Sequence, residues 1–152
     1  MANRHVTIDR PLKSDDARTV RRGADVQEFL DQLAAALRAG DATKIASLWG
    51  LPAGIFGDRG DLTLYKRDDL ERFFARAIAE HTTRGLVATA PELLSEQWLS
   101  HRVVMLKMRW PYVDVEGREV GSEVSDYTLR RDDLGRLEIR ALLVRTHAPT
   151  MN

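Results

Sequence analysis

The sequence predicts an α+β fold, with an antiparallel meander in the second half of the chain and helices upstream that cover one of its faces. The first observation is a run of three strand-like segments between His101 and Thr146. Val103–Trp110, Val120–Leu129 and Leu137–Val144 are rich in β-branched, aromatic and other apolar residues. Asp114-Val115-Glu116-Gly117 and Asp132-Asp133-Leu134-Gly135 separate them, and Asp/Gly clusters between such runs mark hairpins. The second observation is that upstream apolar residues recur at helical spacing.

The helices can be placed in order. Asp25 and Glu28 form a capping box, and Val26, Phe29, Leu30, Leu33 and Leu37 follow on one face. Gly40 closes that helix, and Asp41 caps a shorter second one with Ile45, Leu48 and Trp49 as its apolar face. Gly50 and Pro52 stop it. Gly54–Asp58 reads as a short strand and Leu62–Tyr65 as another. Asp68 and Glu71 repeat the capping box, and Leu70, Phe73, Phe74, Ala77, Ile78 and His81 mark a third helix ending near Gly85. Leu86–Ala90 suits a strand. Pro91–Trp98 has helical spacing with proline in a first-turn position, but the meander needs a neighbour. It is read as a strand with a bulge at Pro91.

Composition narrows the function classes. A length of 152 residues fits one domain, and 43% hydrophobic with 30% charged residues is ordinary for a globular protein. Lys plus Arg and Asp plus Glu are 23 each, so no overall field recruits nucleic acid. There is no cysteine, which excludes disulfides and thiolate chemistry and fits a reducing cytoplasm. No apolar run approaches the ~18 residues of a membrane span, and Met-Ala-Asn-Arg-His lacks a signal-peptide core. A cytoplasmic protein without membrane contact is expected. Residues 1–22 carry six basic residues against three acids, and Pro11 with Lys13-Ser14-Asp15-Asp16 reads as an irregular basic arm. The domain proper is expected over residues 23–148.

Helix, helix, short strand, helix and long meander is a recognisable order. Phe29-x-x-x-Leu33, Ala39-Gly40-Asp41-x-x-x-Ile45-x-x-Leu48-Trp49, Ile55, Leu70-x-x-Phe73-Phe74 and Gly135-Arg136-Leu137 together resemble the nuclear transport factor 2-like superfamily. That group includes ketosteroid isomerases and SnoaL-like polyketide cyclases. The resemblance covers residues 25–146 and implies a cystatin-like cone, in which a curved sheet wraps around three N-terminal helices and leaves an apolar pocket. Function does not follow from such a fold. On the isomerase pattern, the helix-one tyrosine falls on Leu33 and the general-base aspartate on Gly57, one step from Asp58. The second oxyanion aspartate falls on Asp126 if the hairpin before Gly135 carries one extra residue.

Candidate residues follow from these placements. Asp126 sits mid-strand, where aspartate is disfavoured, on a face with Ser122, Val124 and Thr128. If that face lines the cone, burial raises its pKa and suits it to acid/base work. Pairing with Arg109 or Arg140 is the structural alternative. Asp58 is a second catalytic candidate, or simply the turn residue of Gly-Asp-Arg-Gly-Asp. Trp49, Phe73, Arg109 and Ser122 are candidates for ligand contact. No two histidines have helical i, i+4 spacing, so neither metal nor cofactor is expected.

Val103–Leu106 and Ala141–Val144 are apolar on both strand faces, whereas a sheet with one wet face alternates. A homodimer through the outer sheet face, around Met105 and Leu143, is therefore expected. The leading functional expectation is a cone that binds a small apolar molecule. The alternatives are acid/base chemistry on an apolar carbonyl compound and a homo-oligomeric interaction module.

Overall fold

The computed structural model describes residues 4–145, with side chains from Ala17 onward. Residues 146–148 of the expected domain lie outside that range. Helix α1 spans Arg4–Ala39, α2 Ala42–Ser47 and α3 Arg67–Thr83. The strands are β1 (Trp49–Gly57), β2 (Gly60–Leu64), β3 (Leu86–Val87), β4 (Glu92–Trp98), β5 (Val103–Asp114), β6 (Glu119–Arg131) and β7 (Leu137–Val144). They form one curved, unclosed sheet in the order β2-β1-β7-β6-β5-β3, with β4 also on β5. The expected α+β class stands.

The sheet is mixed rather than wholly antiparallel, because β1 runs parallel to β7. Between the β1–β2 edge and the meander's far edge the chain passes through α3, a crossover that a hairpin cannot supply and that lets β7 return alongside β1 in the same direction. Trp49, expected at the end of α2, instead begins β1 opposite Ile139. The segment after Pro91 is a strand as expected, Glu92–Trp98, but Pro91 precedes it and the register shift falls between Leu93 and Ser95 rather than at the proline.

Helix α1 begins far upstream of the Asp25 capping box, so residues 4–22 are helical and not an irregular arm. After Pro11 the segment is mostly Arg, Lys, Asp and Ala with no glycine before Gly23, and most of these cost little in a helix. Asp25 is consequently not a cap; its carboxylate pairs with Arg131 at 2.9 Å. The C-terminal end behaves as the sequence indicates. Gly40 takes φ +62, its N–H donates to Leu37 O at 3.1 Å, and Asp41 N–H donates to Ala36 O at 3.1 Å. That is a Schellman motif. Asp41 Oδ1 then accepts from Lys44 N–H at 3.0 Å and starts α2.

Both long hairpins turn on the same device, Asp-x-x-Gly-Arg. Asp114 Oδ1 accepts from the N–H groups of Glu116 and Arg118, and Asp132 Oδ1 from those of Leu134 and Arg136, all at 2.9 Å. Gly117 and Gly135 both take φ +82, which side chains resist. The backbone N–H of Arg118 first, and that of Arg136 likewise, hold the Asp114 and Asp132 carboxyls below their ordinary values.

The core lies between the helices and the inner sheet face. Val26, Leu33, Leu70, Leu106, Leu129 and Ile139 meet there, all nearly inaccessible to solvent. Arg67 ties the layers together, its guanidinium donating to Ala46 O and, at 2.8 Å, to Trp49 O. On the outer face Phe56 lies beside Leu143 in the register, and both stay about two-fifths exposed, as does Met105. The chain's own helices cover one side only. No helix among the described residues is long and apolar enough to cross a membrane.

Trp98 fastens α1 to the far side of the sheet. The guanidinium carbons of Arg22 and Arg131 lie 4.8 and 4.9 Å from its ring centroid, and Arg131 also holds Asp25. Trp98→Leu keeps an apolar body but removes both cation–π contacts, worth ~0.5–1 kcal/mol each. Denaturant unfolding of this variant is expected to show a loss of about 1–2 kcal/mol. An unchanged midpoint would mean the stack holds nothing.

Candidate functional site

A cavity of about 360 Å³ lies between α1, α3 and the inner face of β5 and β6. Helical and strand periodicities both converge on it. On α3 the residues facing it are Phe74, Ala77, Ile78, His81 and Thr82, spaced i, i+3, i+4, i+7 and i+8. On the sheet they are Trp110 and Tyr112 from β5 and Glu123 and Tyr127 from β6. The floor is apolar, with Leu33, Ile45, Trp49 and Ile139 all buried. Arg38, Gly40, His81 and Ala88 are exposed and surround the mouth.

The polar groups gather on one wall. Register places Trp110 directly opposite Glu123 on the inner face. The Tyr112 hydroxyl donates to Glu123 Oε1 at 2.8 Å, and the Ser125 hydroxyl donates to Oε2 at 3.1 Å. Ser125 is fully buried, so this support is not shared with solvent. The His81 ring stands edge-on to Tyr112 with centroids 5.7 Å apart, and the Trp110 and Tyr127 rings are 6.3 Å apart.

Both phenols are held in the neutral form. Burial pushes the Tyr112 pKa up, the negative charge of Glu123 and the hydrogen bond to it add to the rise, and Arg84 opposes it. Burial also raises Tyr127, again helped by the charge of Glu123. The Trp110 indole N–H faces the Tyr127 hydroxyl and opposes the rise. It stops short of full hydrogen-bond geometry, so this buried N–H has no protein acceptor among the described residues.

The residues singled out from the sequence divide sharply. Trp49 lines the cavity, its ring 5.4 Å from Phe74. Leu33 lines it too, so that position of the first helix presents no hydroxyl. Phe73 packs against the core and meets Phe74 edge-on at 5.2 Å without lining the cavity. Asp58 is in the two-residue turn between β1 and β2, away from the cavity. Asp126 and Ser122 are on the outer face of β6, because Glu123, Ser125 and Tyr127 take the inner one. The structure therefore places Asp126 outside the cone, where its carboxylate is covered by an ion pair with Arg145 rather than Arg109 or Arg140. Arg109, on the same outer face, pairs with Glu92 and Glu119. Among the described residues no cluster of three His, Asp or Glu side chains is placed to hold a metal ion.

Tyr112, Glu123, Tyr127 and Trp110 escaped the sequence reading. Their signal was the i, i+2 spacing of Trp110 with Tyr112 and of Glu123, Ser125 and Tyr127, continuous with Met108 and Leu129 in the core.

The raised phenol values carry a pH consequence. A phenol that keeps its proton longer when folded stabilises the fold below its ordinary value of 10.0, and that contribution is lost as pH rises beyond it. In an alkaline titration, two of the three tyrosines are expected to yield phenolate absorbance only as the protein unfolds. Three tyrosines ionising together near pH 10.0 with the fold intact would contradict this.

Comparison with known proteins bears on the fold. No curated protein matches the chain. A domain of unknown function with a cystatin-like fold from Nostoc punctiforme PCC 73102 is similar over 86% of this chain and 78% of its own, at TM-score 0.65 and 15% identity. An NTF-2 like protein of unknown function from Shewanella oneidensis MR-1 matches over 82% of this chain and 99% of its own, at TM-score 0.66 and 13% identity. A ketosteroid isomerase-like protein from Erwinia carotovora atroseptica SCRI1043 matches over 85% and 96%, at TM-score 0.60 and 10% identity. At these identities the likeness is one of fold. The sequence model of one family, NTF2-like protein (DUF6841), matches residues 24–147, and the chain belongs to that family.

Proposed function

We propose that the chain binds a small, largely apolar molecule inside the cone, with the ligand's polar end against the Glu123 wall. The observation that supports this best is the cavity itself, about 360 Å³ with an apolar floor and its polar groups gathered on one side. Ligand pockets commonly run ~300–1,000 Å³ with this division of labour. Trp49 and Phe74 flank the space and leave it open, which favours ligand binding over a role confined to the outer face.

A second reading has one specific observation behind it. Acid/base chemistry on an apolar carbonyl compound needs a carboxylate beside the substrate, and Glu123 supplies one with two neutral phenols nearby. Turnover of a bound ketone that disappears in Glu123→Gln while binding persists would favour this reading.

The uncharged fluorophore N-phenyl-1-naphthylamine tests the binding reading. A saturable, one-to-one rise in its emission is expected for the wild type. Ala77→Phe adds a ring in the cavity and is expected to weaken the dye by at least about tenfold, the equivalent of 1.4 kcal/mol, with an unchanged melting curve. Equal binding by the two proteins would place the dye elsewhere and overturn the proposal.

A further inference from the structure

The cavity contains a carboxylate with no ion-pair partner among the described residues, and this names a ligand class. Glu123 accepts hydrogen bonds from two neutral hydroxyls, Tyr112 and Ser125. Among the described residues no Lys, Arg or His nitrogen forms an ion pair with it, although ten such pairs are found elsewhere on the chain. Three carboxylates on the sheet's outer face or edge, Asp126, Glu92 and Glu119, are by contrast each matched by an arginine. Around Glu123 the walls are aromatic: Trp110 opposite, Tyr112 and Tyr127 on either side. Trp49 and Phe74 lie deeper.

A carboxylate removed from bulk water is favoured by a cation placed beside it. Electron-rich ring faces attract the same cation, and Trp and Tyr do so best. The two phenols cannot supply the positive charge, and they stay neutral where a phenolate would repel the carboxylate. Arg38 and His81 are exposed at the mouth, where solvent screens them from the inner wall. Arg84 acts on Tyr112, does not line the cavity, and forms no ion pair with Glu123 among the described residues. From these contacts we infer that the cavity selects an apolar molecule with a protonated amine, its ammonium lodged between Glu123 and the Trp110, Tyr112 and Tyr127 rings. This rests on the binding reading above and adds the charge of the ligand to it. Anionic analogues are rejected by the same carboxylate, since like charge at short range is costly in a partly dry site.

Three probes with one apolar body separate the possibilities: 4-phenylbutylamine, 4-phenylbutanol and 4-phenylbutyrate, titrated calorimetrically into the intact protein. The amine is expected to bind at least about tenfold tighter than the alcohol, as a charge-assisted contact predicts, and the butyrate weaker than both. Glu123→Gln is expected to erase the advantage of the amine over the alcohol. Equal affinities for amine and alcohol in the wild type, or a preference for butyrate, overturn the inference while leaving the pocket intact. An advantage for the amine that survives Glu123→Gln overturns the assignment to Glu123. Binding of none of the three overturns the pocket reading as well. The wild-type comparison decides the charge preference even where the variant does not fold.

Discussion

The pairing of β5 with β6 is the constraint on which the rest of this structure depends. Twelve and thirteen residues long, these strands stay in one register from Val103–Arg130 to Tyr112–Gly121 before a single shift. That register decides which side chains meet the helices. Leu106, Met108 and Leu129 enter the core, Trp110, Glu123 and Tyr127 enter the cavity, and Lys107, Arg109 and Asp126 face out. A slip by one residue would exchange the two sets entirely. The Asp-x-x-Gly-Arg turn that joins the two strands holds it in place, since Asp114 bonds two backbone N–H groups and leaves no freedom in loop length, and the same turn at Asp132 fixes β6 against β7.

The cavity is a consequence of how that sheet is covered. Helices α1, α2 and α3 bury the end of the inner face near Leu106, Leu129 and Ile139, where side chains fill the space. Towards Trp110 and Tyr112 the strands continue, but α1 has ended at Ala39 and α2 is only 6 residues long. The inner face there is left with α3 and the β3 segment around Leu86 to enclose it. Polar groups belong at such a boundary, and the wall built around Glu123 is where they are found. Most charged pairs elsewhere are on the surface, where each is worth little, and the pair of the buried Asp126 with Arg145 is the exception.

Much of the fold was legible because its signals are local. The Gly40 stop, the Asp41 cap and both Asp/Gly hairpins are readable from a few neighbouring residues, and each forms as the sequence indicates. The start of α1 was not, since a capping box at Asp25 gives no sign that residues before it are also helical. Nor was the parallel pairing of β1 with β7, which joins residues far apart in the chain. The site was obscured for a different reason. On β6 both faces mix polar and apolar side chains: Gly121, Glu123, Ser125 and Tyr127 against Ser122, Val124, Asp126 and Thr128. With so little contrast, a mid-strand aspartate draws attention to the wrong side. Arg145, beyond the end of β7, is what lets Asp126 be buried there.

The three tryptophans report directly on whether the cone is the ligand site. Trp49 and Trp110 line it, while Trp98 lies outside with its indole N–H donating to Glu96 at 2.9 Å. Their indole N–H resonances, followed by ¹⁵N-edited NMR during titration with N-phenyl-1-naphthylamine, therefore distinguish the inside from the outside. Binding in the cone predicts that the Trp49 and Trp110 signals move with one saturation curve while that of Trp98 stays fixed. Movement of Trp98 alone, or of none of the three at saturating ligand, would contradict it.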